Sequence, residues 1–561
     1  MALTDAPPAT GRIPTAPLGQ RVPRRWLVPV LVIAVLVLSP LAGLVFFAAR
    51  GSGDLWPHLV QNVLPRSVRT TAILLLGVGA VVTIIGVGTA WLVAMYRFPG
   101  RRILEWALLL PLAVPTYIVA YAYLDVMHPV GPVQTFLRNL LGITSIRDLW
   151  FPEVRSMGGC IFLLGLVLYP YVYLPVRALF AMQSASYLEA ARTLGHGPRA
   201  VFFRIAIPLA RPAIAIGVTF ALLETLNDVG ASEFLGIRTM TVSIYTTWTT
   251  LGSISGAAQI ALMMLALIFA LLLVERWARR KQRYVGGGQK TTPAGPIRLR
   301  GWRGGLAAAA CGAPVFFGFV VPASYLVHAA WTRLAEFGWP PDLLFWVGNT
   351  VKLAAVATVI VTALGLFLGY AARVLRRRSG TITLRLATIG YALPGTVLAV
   401  GLLVPIASLD NWIADIVRSL FGASIGLLLL GSGAALVFAY VLRFLPIAAG
   451  NAEAGLAKVS PSLDMAARSL GAGPAEAAWR IHLPLLRPAL AAGALIVFVD
   501  CMKELPATLL LRPFNFETLS TQLYGEAVRG TYEVAAVSAL AIVLVGLVPV
   551  ILLARTLERR R

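Results

Sequence analysis

Apolar runs of about 20 residues, long enough to cross the hydrocarbon of a bilayer as helices, alternate along the chain with short polar segments. They fall near 27–48, 70–95, 104–125, 159–181, 210–230, 256–274, 304–328, 350–372, 386–407, 424–447, 488–508 and 534–554. The pattern predicts an all-α polytopic membrane protein of about twelve transmembrane helices, six in each half. The first run, WLVPVLVIAVLVLSPLAGLVFFA, lacks the short apolar stretch and small-residue cleavage site of a removable leader. It is expected to remain as an anchor, preceded by a disordered Pro- and Ala-rich tail over 1–25.

The polar segments carry a second pattern, stated twice. Residues 189–213 read EAARTLGHGPRAVFFRIAIPLARPA and residues 464–489 read DMAARSLGAGPAEAAWRIHLPLLRPA. Ala190, Ala191, Gly195 and Pro208 recur at one constant offset as Ala466, Ala467, Gly471 and Pro484. Each copy lies between apolar runs, so each is a helix–turn–helix held outside the bilayer and tied to it at both ends. The alanines give the first short helix a face of small residues, and Gly195 or Gly471 is expected to end it in the left-handed conformation. Pro198 or Pro474 suits the first turn of a second helix, which is expected to run to Pro208 or Pro484. Two such loops predict two docking points for a soluble partner.

Composition and charge sharpen this picture. With 58% hydrophobic and 13% charged residues and a mean hydropathy of +0.80, the chain is too apolar for ordinary globular domains. A net charge of +24 would otherwise point to nucleic acid, but the arginines gather at the edges of apolar runs, where they set orientation. Both termini and both repeated loops are accordingly predicted to face the cytoplasm, and no nucleic-acid partner is expected. The basic, glycine-rich stretch 276–303 reads as a linker between two repeats of one ancestral unit, 26–275 and 304–561. With an even number of spans in each half, the halves share one orientation about an axis along the membrane normal, and a cavity lies between them. GGGQKTT, Gly286 to Thr292, imitates a phosphate loop, yet Gln289 stands where the motif requires glycine. Cys160, Cys311 and Cys501 are too scattered for disulfides or a metal site.

The segment Glu189-Ala190-Ala191 with Gly195, Ile205 and Pro208 resembles the EAA loop of binding-protein-dependent ABC importer permeases. The resemblance implies a fused pair of permease domains with EAA loops at 186–212 and 462–488. It further implies two copies of a separate ATPase subunit carrying ATP and Mg, a periplasmic substrate-binding protein, and residence in a bacterial cytoplasmic membrane. No cofactor on this chain and no catalytic residue are implied. The second copy departs from the pattern, because Met465 stands where the first has Glu189 and its acid, Asp464, comes one residue earlier. Stretches 111–125, 224–248 and 500–524 resemble fused permeases of the ferric-iron group. Thiamine, polyamine and sulfate permeases share the architecture.

Acids inside apolar runs mark a candidate pathway. Glu224 and Asp228 recur as Asp500 and Glu504 at the same offset as the loops, each pair on one helix face. Ionisable groups at membrane depth face a polar cavity or a partner. Lys503 neighbours both acids of the second pair, which leaves a structural ion pair as the other reading. Tyr117, Tyr121 and Tyr123 are candidate cavity or packing aromatics, Pro115 and Pro394 are expected to kink matching spans, and Gly365 with Gly369 permits close helix contact. A gradient-driven secondary transporter using the four acids is the alternative from another class; it leaves the two loops without a purpose.

Overall fold

A computed structural model describes residues 24–182, 197–279, 297–374, 390, 393–424 and 426–558. The tail before Arg24, most of the linker, and the first repeated loop from Glu189 to Gly195 lie outside the described residues. Ten helices are long and apolar enough to cross a membrane, or twelve when two bent pairs are each taken as one span. Polar backbone leaves no other economical way through hydrocarbon. The three cysteines are buried free thiols.

The bent pairs both belong to the first half. Arg101–Ala113 and Thr116–Val126 meet at 92°, and Met157–Leu168 and Pro170–Ala181 at 43°. Pro115 and Pro394 occupy equivalent places: each is an extended residue, with ψ of 145° and 147°, immediately before a helix. A proline cannot continue the ladder behind it but suits the start of a new helix. In the second half the helix that follows, Gly395–Phe421, is long and continuous.

Each of the four π-helical turns among the described residues ends two residues before a proline. Leu59–Val63 precedes Pro65, Phe202–Ala206 precedes Pro208, Phe316–Val320 precedes Pro322, and Ala478–His482 precedes Pro484. A proline ring clashes with the carbonyl four residues back and offers it no N–H, and a widened turn relieves both faults. The second helix of each repeated loop therefore does not stop at Pro208 or Pro484, as its sequence leads one to expect. It continues through the widened turn into the spans Ile207–Asn227 and Leu483–Met502.

Small residues set the packing of the second half. A Cβ on Gly365 would lie 2.5 Å from the Ala448 methyl, and one on Gly369 would lie 2.9 Å from that of Ala452. The helices Leu343–Val374 and Ala434–Leu456 thus touch backbone to backbone. One buried core runs through both halves. A two-residue parallel strand pair, Tyr96–Arg97 with Ile297–Arg298, joins the segment after one span to the segment before another.

Candidate functional site

The span Ile207–Asn227 ends where Asp228 turns extended and buried. Its carboxylate accepts from the N–H groups of Ala231 and Ser232 at 3.3 and 3.1 Å, from the Ser232 hydroxyl at 3.4 Å, and from the Thr116 hydroxyl at 3.1 Å. It therefore caps the short helix Gly230–Phe234, whose first N–H groups have no partner of their own. Glu504 does the same at the matching place in the second half, accepting from the N–H groups of Ala507 and Thr508, both at 3.0 Å, and from the Thr508 hydroxyl at 2.7 Å. At membrane depth such donors must be satisfied by protein. One member of each acidic pair thereby has a structural task.

The other members reach the seam from the spans themselves. Glu224, Asp228, Asp500, Lys503 and Glu504 all line a single cavity of about 100 Å³ between the halves, together with Asn227, Arg443, Tyr117 and Thr116. Lys503 Nζ lies 2.8 Å from Asp500 Oδ1, while Glu504 faces Arg443 at 3.3 Å. Lys503 thus takes Asp500 as its partner, and Glu504 has a different cation. Asn227 stitches the halves: its side-chain oxygen accepts from the Gly395 N–H at 2.8 Å and from Arg443 at 2.9 Å. The Tyr117 hydroxyl donates to the Lys503 carbonyl at 3.4 Å, again across the seam. Tyr123 donates to the Phe317 carbonyl at 2.6 Å, and Tyr121 packs on Tyr325 and Tyr532, so neither lines the cavity. Four carboxylates against two cations leave the lining formally negative. Among the described residues, no three His, Cys, Asp or Glu side chains converge as a metal cage.

Sequence reasoning missed Arg443 and Asn227. Arg443 had a readable signal, since it is a charged residue inside the apolar run 424–447. Asn227 had none beyond its place between Glu224 and Asp228.

The second repeated loop lies at the far end of the same spans. Its first helix is Pro461–Ser469; Gly471 has φ of 81°, in the left-handed region, and the chain re-enters helix at Pro474. Of the two alanines, Ala466 is exposed and Ala467 buried. Met465, Leu470 and Trp479 stand out at 65%, 87% and 72% exposure, more apolar surface than a segment outside the bilayer keeps without a partner. Asp464 points inward. It accepts from Arg373 Nε and Nη2 at 2.9 and 2.7 Å and lies 2.9 Å from His482 Nε2, while Arg373 also donates to the carbonyls of Leu456 and Val459. Of the first loop, Glu189, Ala190, Ala191 and Gly195 lie outside the described residues, and Pro208 opens the span Ile207–Asn227.

A bundle of spans in two similar halves, closed on a charged seam, is the architecture of a membrane permease. A family model described as the binding-protein-dependent transport system inner membrane component matches residues 82–284 and again 324–561. The chain belongs to this family: it is a multi-pass inner-membrane permease of the ABC importer type, working with an ATPase and a binding protein, and is not itself an enzyme. It is similar to a Fe(3+)-transport system permease protein of Haemophilus influenzae, 27% identical over 86% of this chain and 88% of the relative. It is also similar to a molybdenum transport system permease protein of Escherichia coli, 32% identical over 36% of this chain and 87% of that protein. A putative 2-aminoethylphosphonate transport system permease protein of Salmonella choleraesuis is 27% identical over 46% and 92%. Family membership displaces the gradient-driven alternative.

Proposed function

We propose that this chain forms the complete passage of an ATP-driven importer for ferric iron, with repeats at 26–275 and 304–561 joined by the linker 276–303. The charge of the seam carries the reading: an opening lined by four acids against two cations favours a cation over an oxyanion. A Fe(3+) permease is among the relatives that align over most of both chains, whereas the molybdenum and phosphonate permeases align with less than half of this chain. Two ATPase subunits, each carrying ATP and Mg, dock at the loops 186–212 and 462–488 in the cytoplasm, where both termini also lie. Glu189, Ala190, Ala191, Gly195 and Pro208 serve the first contact. On the second, exposed Met465, Leu470 and Trp479 flank Ala466 and meet the partner, while Asp464 braces the loop from behind. A periplasmic binding protein delivers iron at the opposite end.

The test is uptake into vesicles holding this chain and its ATPase, with binding protein supplied outside and ferric iron, molybdate and 2-aminoethylphosphonate offered separately. Iron uptake that stops without ATP is the expected result. Uptake of an oxyanion and none of iron would transfer the assignment to the oxyanion permeases.

A further inference from the structure

The strand pair Tyr96–Arg97 with Ile297–Arg298 holds a feature that transport does not use. Its register sets Arg97 opposite Arg298, and the Leu299 N–H donates to the Arg97 carbonyl at 2.9 Å. Directly paired residues of neighbouring strands project on the same face, so two exposed arginine side chains leave the strand pair on one side. Like charges in that relation oppose the pairing. Arg102, Arg300 and Arg303 are exposed on the adjoining segments, as are Arg97 and Arg298, and among the described residues none of the five forms an ion pair.

The cluster is built rather than loose. Gly100, with φ of 73°, turns the first strand into the helix Arg101–Ala107, and Gly301, with φ of 62°, turns the second into Trp302–Val315. Side-chain-bearing residues are strained in that conformation, so each turn requires glycine. The segments sit where spans leave the membrane, since Met95 ends one span, Trp302 begins another and Arg101 begins a bent pair. Trp302 is 71% and Ile103 62% exposed beside the arginines, and the Arg303 guanidinium lies over the Trp302 ring at 5.8 Å. A tryptophan at a span end marks the headgroup level.

We infer that this cluster is a binding site for the phosphate headgroup of an anionic phospholipid, which sits between Arg97 and Arg298 and ties the first half of the permease to the segment that leads into the second. Phosphate supplies the charge that the strand pair lacks, and guanidinium groups bind it in bidentate fashion. Bilayer phospholipid is continuously present at this depth, and the exposed Trp302 and Ile103 provide apolar contact for its glycerol and upper chains.

The experiment compares the detergent-purified full chain with R97Q/R298Q and with R66Q/R69Q, which removes the same charge from exposed positions elsewhere. Melting temperature and bound lipid by native mass spectrometry are followed as cardiolipin, phosphatidylglycerol, phosphatidylcholine or inorganic phosphate is added. Each arginine near an anionic lipid is worth about a fivefold change in affinity. R97Q/R298Q is therefore expected to bind the anionic lipids roughly 25-fold more weakly, with R66Q/R69Q unchanged. Should R97Q/R298Q fail to accumulate, R300Q/R303Q carries the same expectation. Equal binding by variant and parent, equal stabilisation by phosphatidylcholine, or full stabilisation by inorganic phosphate alone would overturn the lipid site. Loss of ATPase co-purification with unchanged lipid affinity would overturn it in favour of a protein partner.

Discussion

The two halves agree where backbone must be held at membrane depth and differ where charge lines the cavity between them. Thr71 accepts from the Met240 N–H at 3.0 Å, and Thr350 accepts from the Leu519 N–H at 2.9 Å. Asp228 and Glu504 cap matching short helices, and Pro115 and Pro394 open matching ones. At the seam, however, Asn227 in the first half corresponds to Lys503 in the second, and Arg443 corresponds to Val167, so the charged bracing comes from one side. A duplicated ladder can stay duplicated because both copies solve the same problem of unsatisfied backbone. A single passage has one set of walls, and nothing obliges each half to supply the same wall.

The loops extend the comparison. Asp464 and Arg373 clamp the second loop to its span beside His482, whereas Ala206 stands in the first half where His482 stands in the second. The offset between matching residues also changes, being larger between Met240 and Leu519 than between Asp228 and Glu504. The second half is therefore longer in the loop that contains Arg512 and Asn515, the latter with φ of 58°.

The sharpest test of this comparison is the pair of caps. E504A leaves two buried N–H groups unpaired and strips Arg443 of its counter-charge, with only the Asn227 amide oxygen still accepting from it, and is expected to cost about 3–5 kcal/mol, the range for breaking a buried ion pair. D228A removes a cap with no cation behind it, at about 1–3 kcal/mol. Thermal unfolding of both variants measures the difference, and equal losses would break the claim that the second half is the charged one. Recovery in E504Q/R443Q relative to E504A would sharpen it.

Next in size is the clamp. D464A strands Arg373 against the carbonyls it also holds, and the expected reading is reduced ATPase co-purification with about 1–3 kcal/mol lost in stability. M465E, at an exposed site, should leave the fold intact. A D464A protein that retains its ATPase normally would separate the clamp from docking. G471V is expected to behave like D464A, because a β-branched residue at φ of 81° costs roughly 1–2 kcal/mol. The smallest effect belongs to the shared ladder: T71V and T350V should each cost about 1 kcal/mol, and equally. Unequal losses would show that the matching hydrogen bonds are not equivalent.

Much of this was legible from residues alone. The apolar runs foretell the spans, and the constant offset between repeated segments foretells the two halves and the matching acids. The division of labour within each acidic pair was not legible, because it depends on where the span ends. Asp228 and Glu504 fall just past the last helical turn and reach the next helix, while Glu224 and Asp500 remain on the span and face the cavity. The partner of Lys503 was equally hidden, since Arg443 arrives from a helix distant in sequence and takes Glu504 for itself. Pro208 and Pro484 misled for a local reason: a proline ends an α-helix by rule, but a π turn just before it lets the helix pass.

The central claim is that the acids with no capping duty, Glu224 and Asp500, serve the passage. ATP-driven ferric iron uptake should be measured in vesicles containing E224Q, D500N or the parent chain, with melting temperature determined on the same preparations. The account predicts that E224Q folds and assembles with the ATPase yet takes up iron at least about tenfold more slowly, as expected when a charge that favours a cation by ~1.4 kcal/mol is removed, and that D500N, which also strips Lys503 of its ion pair, loses uptake together with some stability. Parental uptake rates in both variants would contradict it.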